Sequence, residues 1–311
     1  MLQGKDLLSI HDLSAGEVEE ILQLAKELKA MQIAGVEHHI LKGKTLGMIF
    51  EKSSTRTRVS FEVGMYQLGG QALFLSNRDL QIGRGEPIRD TARVLSRYLD
   101  GIMIRTFGHE KIVEFANWSE VPVINALTDL LHPCQALTDM LTIEEHLGTD
   151  LKGMKLAFIG DGNNMAHSLM YACAKLGIDF TIAMPKGYEP NKTVVKNAKQ
   201  DAKASGATIT LTNDIWKAAK DADVLCTDVW TSMGEESERE QRFKDFAGYQ
   251  INSELREAAN KRAIVLHCLP AHRGEEITNE VFEAHANEIF DEAENRLHAQ
   301  KAVLVKLLGG K

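Results

Sequence analysis

The sequence is poor in features that mark several specialised classes of protein. Its 311 residues include four cysteines and six prolines, and aromatic residues make up 6%. No apolar run approaches the roughly 18 residues of a membrane-spanning helix. The net charge is -8, and no basic stripe typical of nucleic-acid-binding proteins is found. These absences argue against a membrane protein and against a nucleic-acid-binding protein.

The four cysteines are widely spaced, and no two of them have zinc-finger or CxxC spacing. We therefore expect reduced thiols and a cytosolic protein. The first twenty residues agree with this, because they lack an apolar signal core and contain acidic residues that a transit peptide avoids. Cys173 and Cys226 lie in apolar segments and are expected to be buried, whereas Cys134 and Cys268 lie among polar residues.

What the sequence does contain is an alternation of short apolar runs and amphipathic helical stretches. The first helix begins at a capping box formed by Ser14 and Glu17. Buried parallel strands separated by helices are typical of an α/β fold, and a chain of this length suits two domains. The predicted strands are the apolar runs 45–50, 71–75, 101–104, 121–127, 155–160, 180–184, 222–227 and 263–268.

Five polar clusters directly follow apolar runs. They read EKSSTRTR, TDLLHPCQALTD, DGNNMAHS, DVWTSMGEE and HCLPAHRGEE. In open α/β sheets, ligands bind outside the carboxyl ends of the strands. The clusters therefore predict an active site in a cleft between two domains.

The first cluster predicts an anion site at the start of a helix. Residues 53–57 offer more hydroxyl groups than a helix cap requires. A helix N-terminus adds free N–H groups, and Arg56 can bind two phosphate oxygens. An over-capped helix with solvent-facing arginines is the alternative. Val59, Val63 and Tyr66 are expected to form the apolar stripe of this helix.

The second cluster places His132, Cys134 and Gln135 at the start of another helix, with Pro133 in its first turn. His132 can donate to a carbonyl oxygen, although a histidine that only caps the helix is the alternative. Arg105, directly after an apolar run, is a further cationic group.

The third cluster, DGNNMAHS, only partly matches a dinucleotide-binding fingerprint. The third glycine of GxGxxG is replaced by Met165, and no acidic residue follows at the required place. Asn163 and Asn164 offer amide groups that suit an amino-acid carboxylate instead.

The last two clusters hold a carboxylate and a thiol. Asp228 can receive an amino group, or it can simply stabilise a turn. Cys268 leaves two further readings open, a thiolate nucleophile and a zinc ligand.

Together, the motifs STRTR, HPCQALTD, DGNNM, DxxxSMG and HCLPAHRGEEI resemble the aspartate/ornithine carbamoyltransferase family. They occur in order across nearly the whole chain. The SMG loop and HCLP are similar to the branch of the family that uses ornithine. The aspartate-using branch carries a lysine where this chain has Gln81.

The resemblance implies an α/β fold of two doubly wound parallel-sheet domains. Residues 1–148 would bind carbamoyl phosphate, with the helix at about 289–311 packing back onto them, and residues 149–288 would bind ornithine. The implied reaction transfers the carbamoyl group to the δ-amine of L-ornithine, giving L-citrulline and phosphate in arginine metabolism. The implied partners are these two substrates and further copies of the chain, in a trimer or an assembly of trimers. No metal and no cofactor are expected.

The resemblance also implies the site residues, with Gln81 reaching into a neighbouring subunit's site. The catalytic residues would be Cys268, Arg105, His132 and Asp228. The ornithine site would comprise Asn164, Asp228, Ser232 and Met233. The carbamoyl phosphate site would comprise Ser54, Thr55, Arg56, Thr57, Gln81, Arg105, His132, Pro133, Cys134, Gln135, Cys268, Leu269 and Arg296.

Cys268 is the candidate for taking the proton of the amine, and Asp228 for orienting it. The charged stretch 232–250 is expected to form a mobile lid. Two other classes of protein stay open. One is a nicotinamide-dependent dehydrogenase, and the other is a sensor that binds an amino acid or phosphate without catalysis.

Overall fold

The computed structural model describes residues 2–232, 234 and 236–309. The chain divides into two compact units. Unit 1 comprises Met1–Leu141 and Glu294–Lys311, and unit 2 comprises Thr142–Ala293. The chain passes from unit 1 to unit 2 within one helix and returns within another.

Unit 1 is built on a four-stranded parallel sheet in the order β2-β1-β3-β4. Its strands are β1 (Thr45–Phe50), β2 (Gln71–Ser76), β3 (Gly101–Arg105) and β4 (Val123–Leu127). The helices that begin in this part of the chain are α1 (Ala15–Ile33), α2 (Thr55–Gln67), α3 (Ile88–Leu95), α4 (His109–Trp118) and α5 (Pro133–Leu147).

Unit 2 is built on a five-stranded parallel sheet in the order β7-β6-β5-β8-β9. Its strands are β5 (Lys155–Ile159), β6 (Asp179–Ala183), β7 (Ile209–Thr212), β8 (Val224–Thr227) and β9 (Ile264–His267). The helices that begin here are α6 (Asn164–Leu176), α7 (Lys192–Ser205), α8 (Ile215–Ala219), α9 (Arg239–Asp245), α10 (Ser253–Ala258), α11 (Asn279–Ala284) and α12 (Ala286–Leu308).

Each sheet has one place where the strand order reverses. In unit 1 the chain turns from β2 on one side of β1 to β3 on the other, and in unit 2 it turns from β6 and β7 to β8. Ligands of doubly wound folds bind outside the carboxyl ends of the strands at such a reversal. The candidate sites are therefore expected after β1 and β3, and after β5 and β8.

The predicted doubly wound α/β architecture is confirmed, and so are all eight predicted strands and the Ser14–Glu17 capping box. The ninth strand, β7, escaped the sequence analysis. It is a four-residue edge strand with a single buried residue, Ile209. Its threonines interrupt the apolar run that identifies a buried strand.

The predicted apolar stripe of α2 is wrong. Val59, Val63 and Tyr66 are exposed, whereas the opposite face of the helix is buried. On that face Gly64 allows a close approach, because a Cβ there would lie 3.2 Å from Lys301 Cγ on α12. Helical periodicity identifies two faces but does not show which of them another element covers.

Within the described residues, no helix is both long and apolar enough to cross a membrane.

Candidate active site

The first candidate residues lie at the N-terminus of α2, directly after β1. Ser54 is the N-cap, and its Oγ accepts a hydrogen bond from the backbone N–H of Thr57 at 3.2 Å. The Ser54 hydroxyl also donates to Thr57 Oγ1 at 3.1 Å. Thr55, Arg56 and Thr57 form the first turn. The N–H groups of a first turn point beyond the helix end and carry partial positive charge, so this turn can bind an anion.

A cationic group lies at the end of the neighbouring strand. Arg105 is the buried last residue of β3, and its carbonyl accepts a hydrogen bond from the N–H of Glu51, directly after β1, at 2.9 Å. His132, just before α5, is also buried. Burial lowers the pKa of the His132 imidazole well below its usual range, and the positive charges of Arg296 and Arg105 lower it further. His132 is therefore a neutral donor near pH 7, in a region of positive potential.

Arg296, on α12, links three helices of unit 1. It donates to Gln135 Oε1 at 2.7 Å and to Thr57 Oγ1 at 3.1 Å. Gln135 Nε2 donates in turn to Asp139 Oδ1 at 2.7 Å. The Gln300 amide is oriented with its oxygen toward the Arg296 guanidinium. In this orientation the amide oxygen accepts hydrogen bonds from Arg296 Nη2 at 3.1 Å and Nε at 3.2 Å. The guanidinium thus fixes the starts of α2 and α5 relative to each other.

Pro133 and Cys134 lie in the first turn of α5. The Cys134 thiol is buried and donates to the Asn125 carbonyl at 3.4 Å. Burial raises the pKa of this thiol to about 12, although the charge of Arg296 acts in the opposite direction. Cys134 is therefore a neutral thiol rather than a nucleophile. Its contact with carbamoyl phosphate stays a prediction, as does that of Pro133.

Gln81 and Arg58, both in unit 1, have exposed side chains. Gln81 opens the 3-10 helix Gln81–Arg84, and its role in a neighbouring subunit's site stays a prediction. Arg58 donates to Glu62 at 3.0 Å and lies 3.8 Å from the centroid of the Phe74 ring. The solvent-facing alternative therefore describes Arg58, which was not among the predicted site residues.

In unit 2, three candidate residues meet after β5, β8 and β9. Asp228 directly follows β8, and its two carboxylate oxygens have different partners. Oδ1 accepts from the Cys268 thiol at 3.2 Å and from the Val229 N–H at 2.8 Å. Oδ2 accepts from Asn163 Nδ2 at 3.0 Å. The carboxylate is thus fixed in one orientation beside a half-buried thiol.

The remaining predicted residues surround this group along the chain. Asn164 is the half-buried first residue of α6, and Ser232 is also half-buried. Leu269 has a φ of 59° in the left-handed region, and its N–H donates to His267 Nδ1 at 2.9 Å. A non-glycine residue with such a backbone costs roughly 1–3 kcal/mol, which the surrounding contacts offset. Met233 lies outside the described residues.

Gly162 shows why DGNNMAHS is not a dinucleotide site. Its N–H donates to the Tyr188 carbonyl at 3.0 Å. A Cβ on Gly162 would lie 2.4 Å from Pro190 N and 2.6 Å from the Tyr188 carbonyl oxygen. The space in which a fingerprint glycine would admit a pyrophosphate is thus filled by the chain itself. This argues against the dehydrogenase alternative.

The described residues include two groups of potential metal ligands whose atoms lie within 4.8 Å of one another within each group. The first group is Asp228, His267 and Cys268. In the first, both ring nitrogens of His267 already have partners. Nδ1 accepts from the Leu269 N–H, and Nε2 bonds Glu276 Oε1 at 3.0 Å. A cation there would have to displace one of these hydrogen bonds. The second group is His272, Glu275 and Glu276.

Two further residues organise these groups: the sequence analysis named Asn163 only as a possible partner of a carboxylate, and it missed Arg242. Asn163 caps α6 through its Oδ1 and bonds Asp228 through its Nδ2, and the DGNN motif was the signal that pointed to it. Arg242 lies in the stretch predicted as a mobile lid, yet it is buried, as is Phe246. The mobile lid therefore stays a prediction, although abundant charge in the sequence does not reveal the buried ion pair that part of this stretch forms.

Models of two protein domains match the chain. The carbamoyl-P binding domain of aspartate/ornithine carbamoyltransferase matches residues 5–145. The Asp/Orn binding domain of the same family matches residues 152–307.

Individual proteins match over nearly the full length. The ornithine carbamoyltransferase of Anoxybacillus flavithermus is 61% identical over 307 residues, covering 99% of this chain and 98% of its own. The solved structure of the Pyrococcus furiosus ornithine carbamoyltransferase is 54% identical, with a TM-score of 0.95 and coverage of 100% and 99%. The anabolic ornithine carbamoyltransferase of Campylobacter jejuni is 47% identical, with a TM-score of 0.91 and coverage of 96% and 97%. The chain belongs to the aspartate/ornithine carbamoyltransferase family.

Proposed function

We propose that this protein transfers the carbamoyl group of carbamoyl phosphate to the δ-amine of L-ornithine, giving L-citrulline and phosphate. The observation that carries the proposal is the Cys268–Asp228 contact of 3.2 Å, fixed by Asn163. It supplies a proton acceptor and an orienting carboxylate for an amine substrate. The same chain carries a cluster of cationic groups suited to a phosphate compound.

Carbamoyl phosphate is assigned to the residues of unit 1. Its phosphate would lie at the start of α2, where Ser54, Thr55, Arg56 and Thr57 offer hydroxyl, amide and guanidinium donors. Its carbonyl oxygen would face Arg105 and the neutral His132. Gln135 and Arg296 hold this arrangement, and Pro133 and Cys134 contribute the backbone of the α5 start. Residues 1–148 with the helix at about 289–311 form the carbamoyl-phosphate-binding domain in this proposal.

Ornithine is assigned to residues of unit 2, within a domain of residues 149–288. Its δ-amine must lose a proton before it can attack. A free alkyl amine has a pKa of roughly 10.4, which is about three units above pH 7.4. Each pKa unit corresponds to about 1.4 kcal/mol, so deprotonation costs about 4 kcal/mol. Desolvation lowers this cost, and Asp228 orients the amine. The Cys268 thiol, which is hydrogen-bonded to Asp228, first loses its own proton to solvent, and the resulting thiolate then takes the proton of the amine. Asn164, Ser232 and Met233 would bind the α-amino and α-carboxylate groups.

Attack of the amine places negative charge on the carbonyl oxygen. Arg105, His132 and Thr57 are donors that can stabilise this charge, and one such donor is worth about 3 kcal/mol. The remaining proton of the attacking nitrogen then passes to the bridging oxygen as the C–O bond breaks, so that hydrogen phosphate leaves as a dianion toward Arg56 and the α2 N-terminus. Cys268 and Leu269 flank the reacting carbamoyl group. Orientation of the two substrates supplies much of the remaining rate enhancement.

The reaction belongs to arginine metabolism. We assign the biosynthetic direction, since the similar Campylobacter jejuni enzyme is described as anabolic. A cytoplasmic location agrees with the four cysteines, all within the described residues, none of which forms a disulfide.

A homotrimer is supported by an exposed apolar face in unit 1. It is formed by Val59, Val63 and Tyr66 on α2 and by Leu73 and Phe74 on the edge strand β2. An exposed apolar patch beside an unpaired sheet edge is typical of a subunit interface. Association there would place the exposed Gln81 where a neighbouring copy can use it.

The reaction is tested by offering carbamoyl phosphate with L-ornithine, putrescine, N-acetylornithine or L-aspartate in parallel, with EDTA present, and measuring the ureido product. We expect product with ornithine alone. Product with another amine would contradict the assignment of the Asp228–Met233 loop. No product from folded protein would contradict the transferase proposal and favour the sensor.

Shared sites are tested by mixing two inactive variants, Gln81→Ala and Cys268→Ala, after mild dissociation. If Gln81 acts in a neighbouring subunit's site, mixed trimers contain some sites with both residues intact, and activity returns. Activity that stays at the level of the separate variants would show that Gln81 acts within its own subunit. The molecular mass from light scattering, with Val63→Asp as the dissociating variant, checks the trimer itself.

A further inference from the structure

Helices α2 and α12 contact each other along a polar seam in unit 1. The α2 residues of this seam recur at intervals of three and four positions, so they share one face of the helix. All residues of the seam are buried except Gln67, which is half-buried. The α2–α12 seam comprises Thr57, Ser60, Gly64 and Gln67 on α2 and Arg296, Gln300 and Lys301 on α12.

One end of the seam lies at the candidate residues for carbamoyl phosphate. Arg296 donates to Thr57 Oγ1 at 3.1 Å. Gln300 links the next turn, because its amide N–H donates to Ser60 Oγ and its amide oxygen accepts from Arg296. The Ser60 hydroxyl donates in turn to the Arg56 carbonyl at 2.6 Å. The seam therefore holds the guanidinium that fixes the start of α2.

Lys301 lies at the other end of the seam. Its Nζ donates to Gln67 Oε1 and to His38 Nε2, both at 2.9 Å. His38 Nδ1 lies 2.8 Å from the Val36 carbonyl oxygen, so Nδ1 carries the ring proton and Nε2 accepts from the lysine. Gly64 leaves room for the lysine stem, because a Cβ there would lie 3.2 Å from Lys301 Cγ.

A lysine is a costly residue in this place. The Lys301 side chain is fully buried, and within the described part of the chain no carboxylate forms an ion pair with it. Burial lowers the pKa of Lys301 to about 8. Its charged form is therefore less stable in the folded protein than in water, and the charge opposes folding at neutral pH. An apolar side chain of similar volume would fill the space without this cost.

We propose that Lys301 is a positioning residue for carbamoyl phosphate. It anchors α12 on α2 at one end of the seam, so that Arg296 reaches Thr57 and Gln135 at the other end. The inference rests on the proposed function, because it takes carbamoyl phosphate as the ligand of these residues. Lys301 touches no substrate in this proposal.

Lys301→Met separates positioning from a contribution to stability. Methionine keeps an unbranched stem beside Gly64 and removes the amine. His38 and Gln67 line a surface cavity of about 560 Å³, so water can replace the amine as their partner. The variant should therefore melt within about 2 °C of wild type or above it. A residue that only stabilises the fold would lower the melting temperature when it is replaced.

The experiment measures steady-state kinetics with each substrate varied separately. Lys301→Met is expected to raise the KM for carbamoyl phosphate about fivefold, while kcat and the KM for ornithine change less than about twofold. The matched control is Lys306→Met, because Lys306 lies on the same helix but pairs with Glu20 of α1 at 3.0 Å. It should leave both KM values within about twofold of wild type.

Gly64→Ala distinguishes the position of Lys301 from its charge. The new Cβ would lie 3.2 Å from Lys301 Cγ, so either the lysine stem or α12 must shift by a few tenths of an ångström. Both shifts displace the anchor and keep the charge, so the KM for carbamoyl phosphate should again rise severalfold. A normal KM in Gly64→Ala beside a raised KM in Lys301→Met would show that the charge acts, and would overturn the inference.

Two further results would also overturn it. One is a lower melting temperature of Lys301→Met with an unchanged KM for carbamoyl phosphate, which would make Lys301 a purely structural residue. The other is an equal rise in both KM values, which would indicate general damage.

Dissociation constants of inorganic phosphate from calorimetry separate this inference from the proposed function. Phosphate binding does not need turnover, and it should weaken in Lys301→Met by the same ratio as the KM rises. Wild-type protein that binds phosphate but forms no citrulline contradicts the proposed reaction, while the phosphate dissociation constants of the variants still decide the role of Lys301. Wild-type protein that binds neither phosphate nor carbamoyl phosphate overturns both.

Discussion

The two groups of candidate residues differ in electrostatic character. In unit 1, burial lowers the pKa of His132, and the positive charges of Arg296 and Arg105 lower it further. In unit 2, the centre of the group is the carboxylate of Asp228, with the Cys268 thiol and the Asn163 amide as its donors. One group suits a phosphate dianion with a developing oxyanion, and the other suits an amine. The difference indicates two substrates of opposite charge rather than one symmetrical ligand.

The groups also differ in how they are held. Thr57, Gln135 and Arg296 come from three helices that are linked directly by side-chain hydrogen bonds. Asp228 and Cys268 follow strands, and their loops depend on supports outside the group, such as Gly162 and Arg242. Changes in unit 1 should therefore act mainly on charge, and changes in unit 2 mainly on geometry.

The largest effect is expected from Arg105→Gln. It removes a buried positive charge and a donor to the developing oxyanion, so kcat/KM for carbamoyl phosphate should fall by on the order of 10³-fold. Ornithine binding, measured by calorimetry in the presence of phosphate, should be nearly unchanged, because the ornithine residues are unaltered.

The matched control is Arg58→Gln. Arg58 is exposed and pairs with Glu62 one turn along α2, so its loss should change kcat/KM less than twofold. A similar loss in both variants would show that net positive charge alone, rather than the placement of Arg105, supports the reaction.

The next largest effect is expected from Cys268→Ala. Removal of the proton acceptor should lower kcat about 10²-fold, at the lower end of general acid–base contributions. The dissociation constants of both substrates should change little. Cys173→Ala is the control for loss of a thiol, because Cys173 is buried within α6 and should affect stability but not kcat. A Cys268→Ala enzyme with normal kcat would move the proton transfer to another group.

Much of this comparison could be predicted from the sequence. Parallel strands that are buried on both faces give continuous apolar runs, so β1, β3, β5, β8 and β9 were recognisable, and the polar residues after them mark the ligand-binding edge of each sheet. The local cap of α2 could also be predicted, because Ser54 and Thr57 are neighbours along the chain.

Contacts between distant residues could not be predicted in this way. Ser60 bonds Gln300 across 240 positions, and Arg242 bonds Asp161 across 81. A local pattern does not contain such pairings. For the same reason, the apolar spacing of Val59, Val63 and Tyr66 predicts a buried side of α2 that is exposed in the structure. The buried side is decided by α12, which lies more than 200 residues further along the chain.

The geometric dependence of unit 2 is tested by Gly162→Ala. The new Cβ would lie 2.4 Å from Pro190 N, a backbone atom that cannot move away without shifting its segment. Such overpacking should lower the free energy of unfolding by about 2 kcal/mol and raise the KM for ornithine. Urea unfolding and steady-state kinetics measure the two effects.

Gly16→Ala is the control with the opposite sign. Gly16 lies in α1, and an added Cβ meets no atom within 4 Å. Alanine there should stabilise the protein by about 0.5–1 kcal/mol and leave both KM values unchanged. A Gly162→Ala protein that is as stable as wild type would show that the 188–190 segment can move, and would reopen the question of what fits beside this turn.

The smallest expected effect is on the pH dependence of stability, to which the buried His132 contributes. The folded protein holds the pKa of this imidazole well below its usual range. At pH 5.5 the unfolded chain therefore binds a proton at His132 that the folded protein does not. Stability rises with pH wherever the unfolded state binds more protons, so stability is lost as pH falls through about 6.5. Protonation linked to this residue should therefore lower the free energy of unfolding at pH 5.5 relative to pH 8 by on the order of 1 kcal/mol.

Urea unfolding of wild type and His132→Asn at these two pH values isolates the contribution. On acidification the variant should lose less stability than wild type, by on the order of 1 kcal/mol. Other histidines, such as His298 with a pKa lowered to about 3 by burial and by the neighbouring charge of Lys301, contribute equally to both proteins and cancel. In Arg105→Gln, where one of the two charges is gone, the pKa of His132 followed by NMR should rise. An unchanged pKa would mean that Arg105 does not contribute to the potential at His132, and that burial and Arg296 set it.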